Sequence, residues 1–128
     1  MIIILVCHSP LGNAMKKSVE HSYESPINDL KVVDVTPDQT LESIVKSINQ
    51  VWINSGEPEE IIVLSDMIGA SPSNGLHNWL SFGKVKYKGF VGVNIPALLC
   101  AINHRFEDFE SLSLKMNKTL KISCLQIE

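Results

Sequence analysis

Two stretches place reactive side chains where an apolar run gives way to a loop. The first is Val6-Cys7-His8-Ser9-Pro10-Leu11-Gly12, which follows the aliphatic run Ile2–Leu5 and puts a histidine at its end. The second is Ser65-Asp66-Met67-Ile68-Gly69-Ala70-Ser71-Pro72-Ser73-Asn74, which follows Ile61–Leu64 and puts an aspartate there. An aspartate accepting from one imidazole nitrogen fixes the tautomer and leaves the other nitrogen's lone pair free for attack. The small residues Gly69 and Ala70 allow close backbone approach. Ser71-Pro72 reads as a helix start, whose free N–H groups and partial positive charge suit a phosphate. Taken singly, His8 reads equally well as a loop residue, and many loops like Gly69–Ser71 bind nothing. Together, a histidine nucleophile beside a phosphate cradle points to phosphoryl transfer through a phosphohistidine, a chemistry that mainly needs positioning and charge stabilisation. Neither a Walker A lysine motif nor a G-x-G-x-x-G fingerprint is present, so direct use of ATP or a dinucleotide is not expected. No metal and no cofactor are expected.

The elements that would position these residues alternate in type. Ile2–Cys7 is a continuous apolar run, as in a strand buried on both faces. Leu30–Val35, Ile61–Ser65 and Phe90–Asn94 are further strand candidates. Leu11, Met15 and Val19 mark one helix, and Leu41, Ile44, Val45, Ile48 and Trp52 another. Leu76, Trp79 and Leu80 mark a third, Ala97 to about Asn103 a fourth, and Phe106, Phe109, Leu112 and Met116 a fifth. Ser9-Pro10, Thr36-Pro37 and Ser71-Pro72 each place a capping hydroxyl before a proline suited to the first helical position. Thr36 to Gln39 has capping-box spacing, and Asn94-Ile95-Pro96 resembles these starts. Leu120–Ile127 alternates like a closing strand. The expected fold is a three-layer, doubly wound α/β domain spanning residues 1–128, with strand order 2-1-3-4 and a C-terminal antiparallel strand. Ligands of such sheets sit outside the carboxyl ends of the strands, at the switch point. His8 and Asp66 meet there if the first and third strands are neighbours.

Composition narrows the function classes. The chain has 128 residues, 45% of them apolar and 20% charged, with a net charge of −3. No basic run exceeds Lys16-Lys17, so neither nucleic acid nor a membrane surface is an expected partner. No apolar stretch approaches the roughly 20 residues of a membrane span, and the opening run lacks a signal peptide's basic region. Three widely spaced cysteines, Cys7, Cys100 and Cys124, read as free thiols in a reducing compartment. The cytoplasm is the expected location. His21, His77 and His104 have weaker claims to a direct role. Trp52 and Trp79 read as core.

The three motifs, in this order along almost the whole chain, resemble the IIA component of the mannose-family sugar phosphotransferase system (PTS): the aliphatic first strand ending in His8, the loop Leu64–Asn74, and Gly92-Val93-Asn94-Ile95-Pro96-Ala97-Leu98-Leu99. The family loop typically reads D-x-x-G-G-S-P-x-N, and G-V-N-[IL]-P is specific to this branch. The resemblance implies that His8 receives a phosphoryl group from the phosphocarrier HPr and passes it to a IIB component, here a separate chain. It implies that Asp66 orients the histidine, that Ser71 contacts the phosphoryl group, and that Asn94 and Pro96 shape the neighbouring loop. It also implies a homodimer that exchanges the C-terminal strand. Two positions depart from the family pattern. Ser9-Pro10 stands where a glycine usually follows the histidine, and Ala70 stands for the second loop glycine, where an alanine resists positive φ. A regulatory module that signals phosphorylation state without sugar transport uses the same histidine, and a non-catalytic anion-binding domain is a third reading.

Overall fold

A computed structural model describes residues 1–128. The strands are β1 (Ile3–His8), β2 (Leu30–Val35), β3 (Glu60–Ser65) and β4 (Lys86–Val91). The helices are α1 (Leu11–Tyr23), α2 (Leu41–Asn54), α3 (Ser71–Leu80), α4 (Ile95–Asn103) and α5 (Phe109–Ile122). The four strands form one all-parallel sheet in the order β2-β1-β3-β4. β1 lies between β2 and β3, with Cys7 beside Asp34, His8 beside Val35 and Val6 beside Ser65. The expected order is therefore the observed one.

Side chains on a strand alternate between faces, and β1 is apolar from Ile3 to Cys7 because both of its faces are covered there. Ile3, Leu5 and Cys7 join Met15 and Val19 of α1, Leu98 and Ala101 of α4, and Leu112 and Met116 of α5. Ile4 and Val6 join Ile44 and Ile48 of α2 and Leu76 and Trp79 of α3. Two cores thus sandwich the sheet. No helix is long and apolar enough to cross a membrane.

Several local expectations differ from the structure. β4 covers Lys86–Val91 rather than Phe90–Asn94, and Ser71 is the first residue of α3 rather than its cap, a place taken by Ala70. Ser9 does not cap α1: Pro10 occupies the cap position, after a cis Ser9–Pro10 bond, and no side chain of that turn makes a capping hydrogen bond. α2 begins at Leu41, and its cap lies four residues beyond Thr36. That cap is Thr40, whose hydroxyl accepts from the Ser43 amide at 3.1 Å. The Thr36 amide instead donates to the Gln39 side chain at 3.0 Å, which closes a separate turn. Leu120–Ile127 is not a strand. α5 continues through Ile122, and no sheet edge adjoins the irregular residues beyond it. Alternation alone could not tell a strand from the frayed end of a helix whose apolar residues have little to pack on. Asn94 does cap α4, accepting from the Ala97 amide at 2.9 Å, with Pro96 in the first turn.

α2 and α3 touch at Gly75, where an added Cβ would stand 2.3 Å from Cγ2 of Ile44. Intrinsic helix propensity favours alanine there by about 1 kcal/mol, whereas overpacking a closed contact costs about 1–3 kcal/mol. The clash should win. Gly75→Ala is expected to lower stability in urea unfolding by about 1 kcal/mol, and adding Ile44→Ala should relieve the clash. A Gly75→Ala protein more stable than wild type contradicts this packing.

Candidate functional site

His8 and Asp66 leave the carboxyl ends of adjacent strands, and their side chains meet. Oδ2 of Asp66 accepts from the His8 backbone amide at 2.9 Å and lies 2.7 Å from His8 Nδ1, while Oδ1 accepts from the Met67 amide at 3.0 Å. An ionised carboxylate can only accept, so in the neutral ring Nδ1 carries the proton and Nε2 keeps its lone pair. The Asp66 side chain is nearly buried, at 9% exposure, whereas that of His8 is half exposed, at 50%. Burial alone would raise the Asp66 pKa. The hydrogen bonds from the His8 amide and ring, with the charge of the ring and the bond from Met67, outweigh it and hold the carboxyl below its ordinary range. Asp66 is thus a fixed anion behind an imidazole whose other face is open.

The adjoining thiol is no competitor. Burial, followed by the charges of Asp66 and Asp34, pushes Cys7 up to about 12, so it stays protonated and unreactive near neutrality.

His8 opens into a cavity of about 270 Å³ lined by Ser9, Val35, Thr36, Pro37 and Ser71. Ser71 begins α3, whose cap residue Ala70 offers no side-chain hydrogen bond, with Pro72 in the first turn. The start of α3 therefore carries donors without a side-chain cap on the same cavity as the imidazole. Gly69, at φ +75°, takes the left-handed conformation that the loop requires, while Ala70, at φ −109°, is extended. The alanine thus meets no conformational penalty, because the demand for positive φ falls entirely on Gly69. None of the residues lining the cavity is cationic. No three His, Cys, Asp or Glu side chains are grouped to hold a metal ion.

Asn94 and Pro96 stand apart from this cavity. The Asn94 side chain is engaged in capping α4, and the loop before it is tied to the site through the Ser65 carbonyl, which accepts from the Gly92 and Val93 amides at 2.9 and 3.0 Å. His21 lies in the last turn of α1, His77 is exposed on α3, and His104 pairs with Glu107 at the opposite end of the sheet.

One residue at this end escaped the reading of the sequence. Asp34, on β2, accepts from the Gly12 amide at 2.8 Å, the Asn13 amide at 3.0 Å and the Asn13 side chain at 2.9 Å. It caps α1 from a neighbouring strand, so the start of α1 is occupied rather than open to an anion. Its signal was the one that marked His8 and Asp66: an ionisable residue at the carboxyl end of an apolar strand.

Residues 2–118 match the family model EIIA-man, described as PTS system fructose IIA component. Among curated proteins none matches. The fold resembles a phosphotransferase system component EIIA from Streptococcus agalactiae, with TM-score 0.83, 20% identity, and coverage of 98% of this chain and 95% of that one. It also resembles the mannose/sorbose specific IIA subunit of Enterococcus faecalis, with TM-score 0.83, 17% identity, and coverage of 99% and 94%. A sigma-54 interaction domain protein from Enterococcus faecalis shares the fold at TM-score 0.78 and 12% identity, with coverage of 96% and 92%.

The lowered Asp66 pKa has a thermodynamic consequence. A carboxyl with a lower pKa folded than unfolded adds stability above its unfolded value, near 3.9, and that contribution disappears as pH falls through the folded value. Urea unfolding between about pH 6 and pH 2 should therefore show a steeper acid loss for wild type than for Asp66→Asn. Equal slopes would contradict the bonding described.

Proposed function

This chain belongs to the EIIA-man family of PTS IIA components, and on that premise we propose that His8 Nε2 accepts a phosphoryl group from phospho-HPr and passes it to a IIB component on a separate chain. The N–P bond of the donor phosphohistidine breaks as an N–P bond to His8 Nε2 forms, and the reverse exchange delivers the group to the acceptor. No net proton is consumed, because Nδ1 stays protonated throughout. Asp66 holds that proton and balances the charge of the phosphorylated ring. Gly69, Ala70 and Ser71 cradle the phosphoryl oxygens with the start of α3 and the Ser71 hydroxyl. Ser9, Asn94 and Pro96 support the loops around it. The single observation that carries this reading is the 2.7 Å contact between His8 Nδ1 and Asp66 Oδ2, which leaves an exposed Nε2 facing the cavity.

The surroundings of His8 suit a protein donor. Leu11, Leu41, Met67, Ile68, Val91 and Ile95 are all exposed, and all sit at strand ends, at helix starts or in the β3–α3 loop on the carboxyl side of the sheet. Exposed apolar residues gathered at one end fit a docking partner. The chain works in the cytoplasm, beside the soluble phosphocarrier.

A second reading follows from the likeness to the sigma-54 interaction domain protein: a regulatory phosphohistidine module that signals PTS phosphorylation state without sugar transport. Both readings share the His8 step and part at the acceptor. Transfer from the phosphorylated protein to a IIB component favours transport, and phosphorylation-dependent capture of a regulatory domain with no transfer to IIB favours signalling.

Incubation with phosphoenolpyruvate, enzyme I and HPr should add about 80 Da to the intact mass, in an acid-labile form absent from His8→Ala. Asp66→Asn should slow labelling roughly 10- to 100-fold. No labelling of wild type with several HPr sources would refute the proposal.

The homodimer is proposed on separate grounds. The outer edge of β4 has no neighbour, and the tail after α5 exposes Leu125 and Ile127 at 69% and 94%. An open edge and an apolar tail in two copies satisfy each other if the tail pairs as a strand with the partner's β4. Light scattering should show a dimer that becomes a monomer when residues 124–128 are removed. A wild-type monomer would rule the exchange out.

A further inference from the structure

We propose that Asp34 is a positioning residue for the His8 reaction, acting through α1 rather than by touching the imidazole. The inference rests on the phosphoacceptor role proposed for His8. The turn Ser9–Leu11, which joins His8 to α1, is held at both ends by the last residues of β2. On the His8 side, the Ser9 amide donates to the Val35 carbonyl at 2.9 Å. On the helix side, Asp34 Oδ1 accepts from the Gly12 amide at 2.8 Å, and Oδ2 accepts from the amide and side chain of Asn13 at 3.0 and 2.9 Å. His8 itself lies beside Val35 in the β1–β2 register.

The packing allows little freedom in this arrangement. A Cβ on Gly12 would stand 2.5 Å from Asp34 Oδ1 and 2.7 Å from Cγ1 of Val32, so only glycine lets the helix start approach the carboxylate this closely. The three donors meet a half-buried anion, and bonds to an ionised acceptor are shorter and stronger than neutral ones. No side chain of the turn itself supplies a cap; Asp34 supplies the side-chain bonds to the first residues of α1, and Lys16 Nζ, donating to the Leu30 carbonyl at 2.8 Å, ties the next turn to β2. Asp34 and His8 fall on opposite faces of the sheet by strand alternation: Leu30 packs with the α1 side, and Val35 with the α2 side. The carboxylate therefore acts on the chain that carries His8, not on its ring.

With that tie cut, the turn loosens and the His8 ring samples orientations in which Nδ1 leaves Asp66. Two consequences are measurable: a mixed tautomer in the neutral ring and slower phosphoryl acceptance. The test uses Asp34→Ala and the near-isosteric Asp34→Asn, which retains an oxygen able to accept from Gly12. Ring ¹⁵N signals of His8 are recorded in the free proteins, and labelling rates are measured with phospho-HPr. Asp34→Ala should mix the tautomers and slow labelling about tenfold or more, with Asp34→Asn intermediate. If Asp34→Ala does not fold, Asp34→Asn decides. Wild-type labelling rates in the folded variants overturn the proposal, whatever the ring signals show. If wild type itself is not labelled, the phosphoacceptor role fails, and the ring signals alone decide whether Asp34 positions His8: mixed tautomers support it and unchanged signals refute it.

Discussion

A buried carboxylate that accepts twice from the same residue is a demanding arrangement. Asp66 Oδ2 takes both the backbone amide and the ring Nδ1 of His8, so chain and side chain are fixed together. This requires β1 and β3 to be adjacent and parallel and to end at nearly the same level. The register that pairs Val6 with Ser65 meets that requirement. The sheet order, the crossover helices and the two cores serve to bring these strand ends together, at the switch point where α/β sheets place ligands.

The electrostatics around that contact are divided among different groups. Asp66 sets the tautomer and supplies negative charge behind the ring. α3 presents its start, which lacks a side-chain cap, to the cavity, whereas α1, at a similar level of the sheet, is capped by Asp34. Two helices begin near the histidine, and one is left to face an anion. With no cation on the cavity wall, the proposed transfer would rely on oriented N–H donors and a hydroxyl, which need no rearrangement as charge develops.

Much of this was legible in the residues. The unbroken aliphatics of β1 announced a central strand, and reactive residues at strand ends announced the site. What stayed hidden depended on contacts across the fold. Ser9-Pro10 has the form of a cap and a first helical residue, yet the capping group is Asp34, 22 residues from Gly12 in sequence. Thr36 opens a turn, and the cap is Thr40, because both threonines satisfy the same local rule and packing of Ile44 and Ile48 chooses the register. Ala70 departs from the glycine of related loops without conformational cost, since the positive φ falls on Gly69. Residues 120–127 alternate like a strand, but within one chain no sheet edge adjoins them.

The central claim is that Asp66 reserves Nδ1 and so makes Nε2 the nucleophile. The position of the phosphoryl group on the ring tests it most directly. Two-dimensional ¹H–¹⁵N spectra of the phosphorylated protein, with ³¹P coupling to the ring nitrogens, identify the substituted atom. The account predicts phosphorus on Nε2 of His8, with Nδ1 protonated. Phosphorus on Nδ1, or on any other residue, would contradict it.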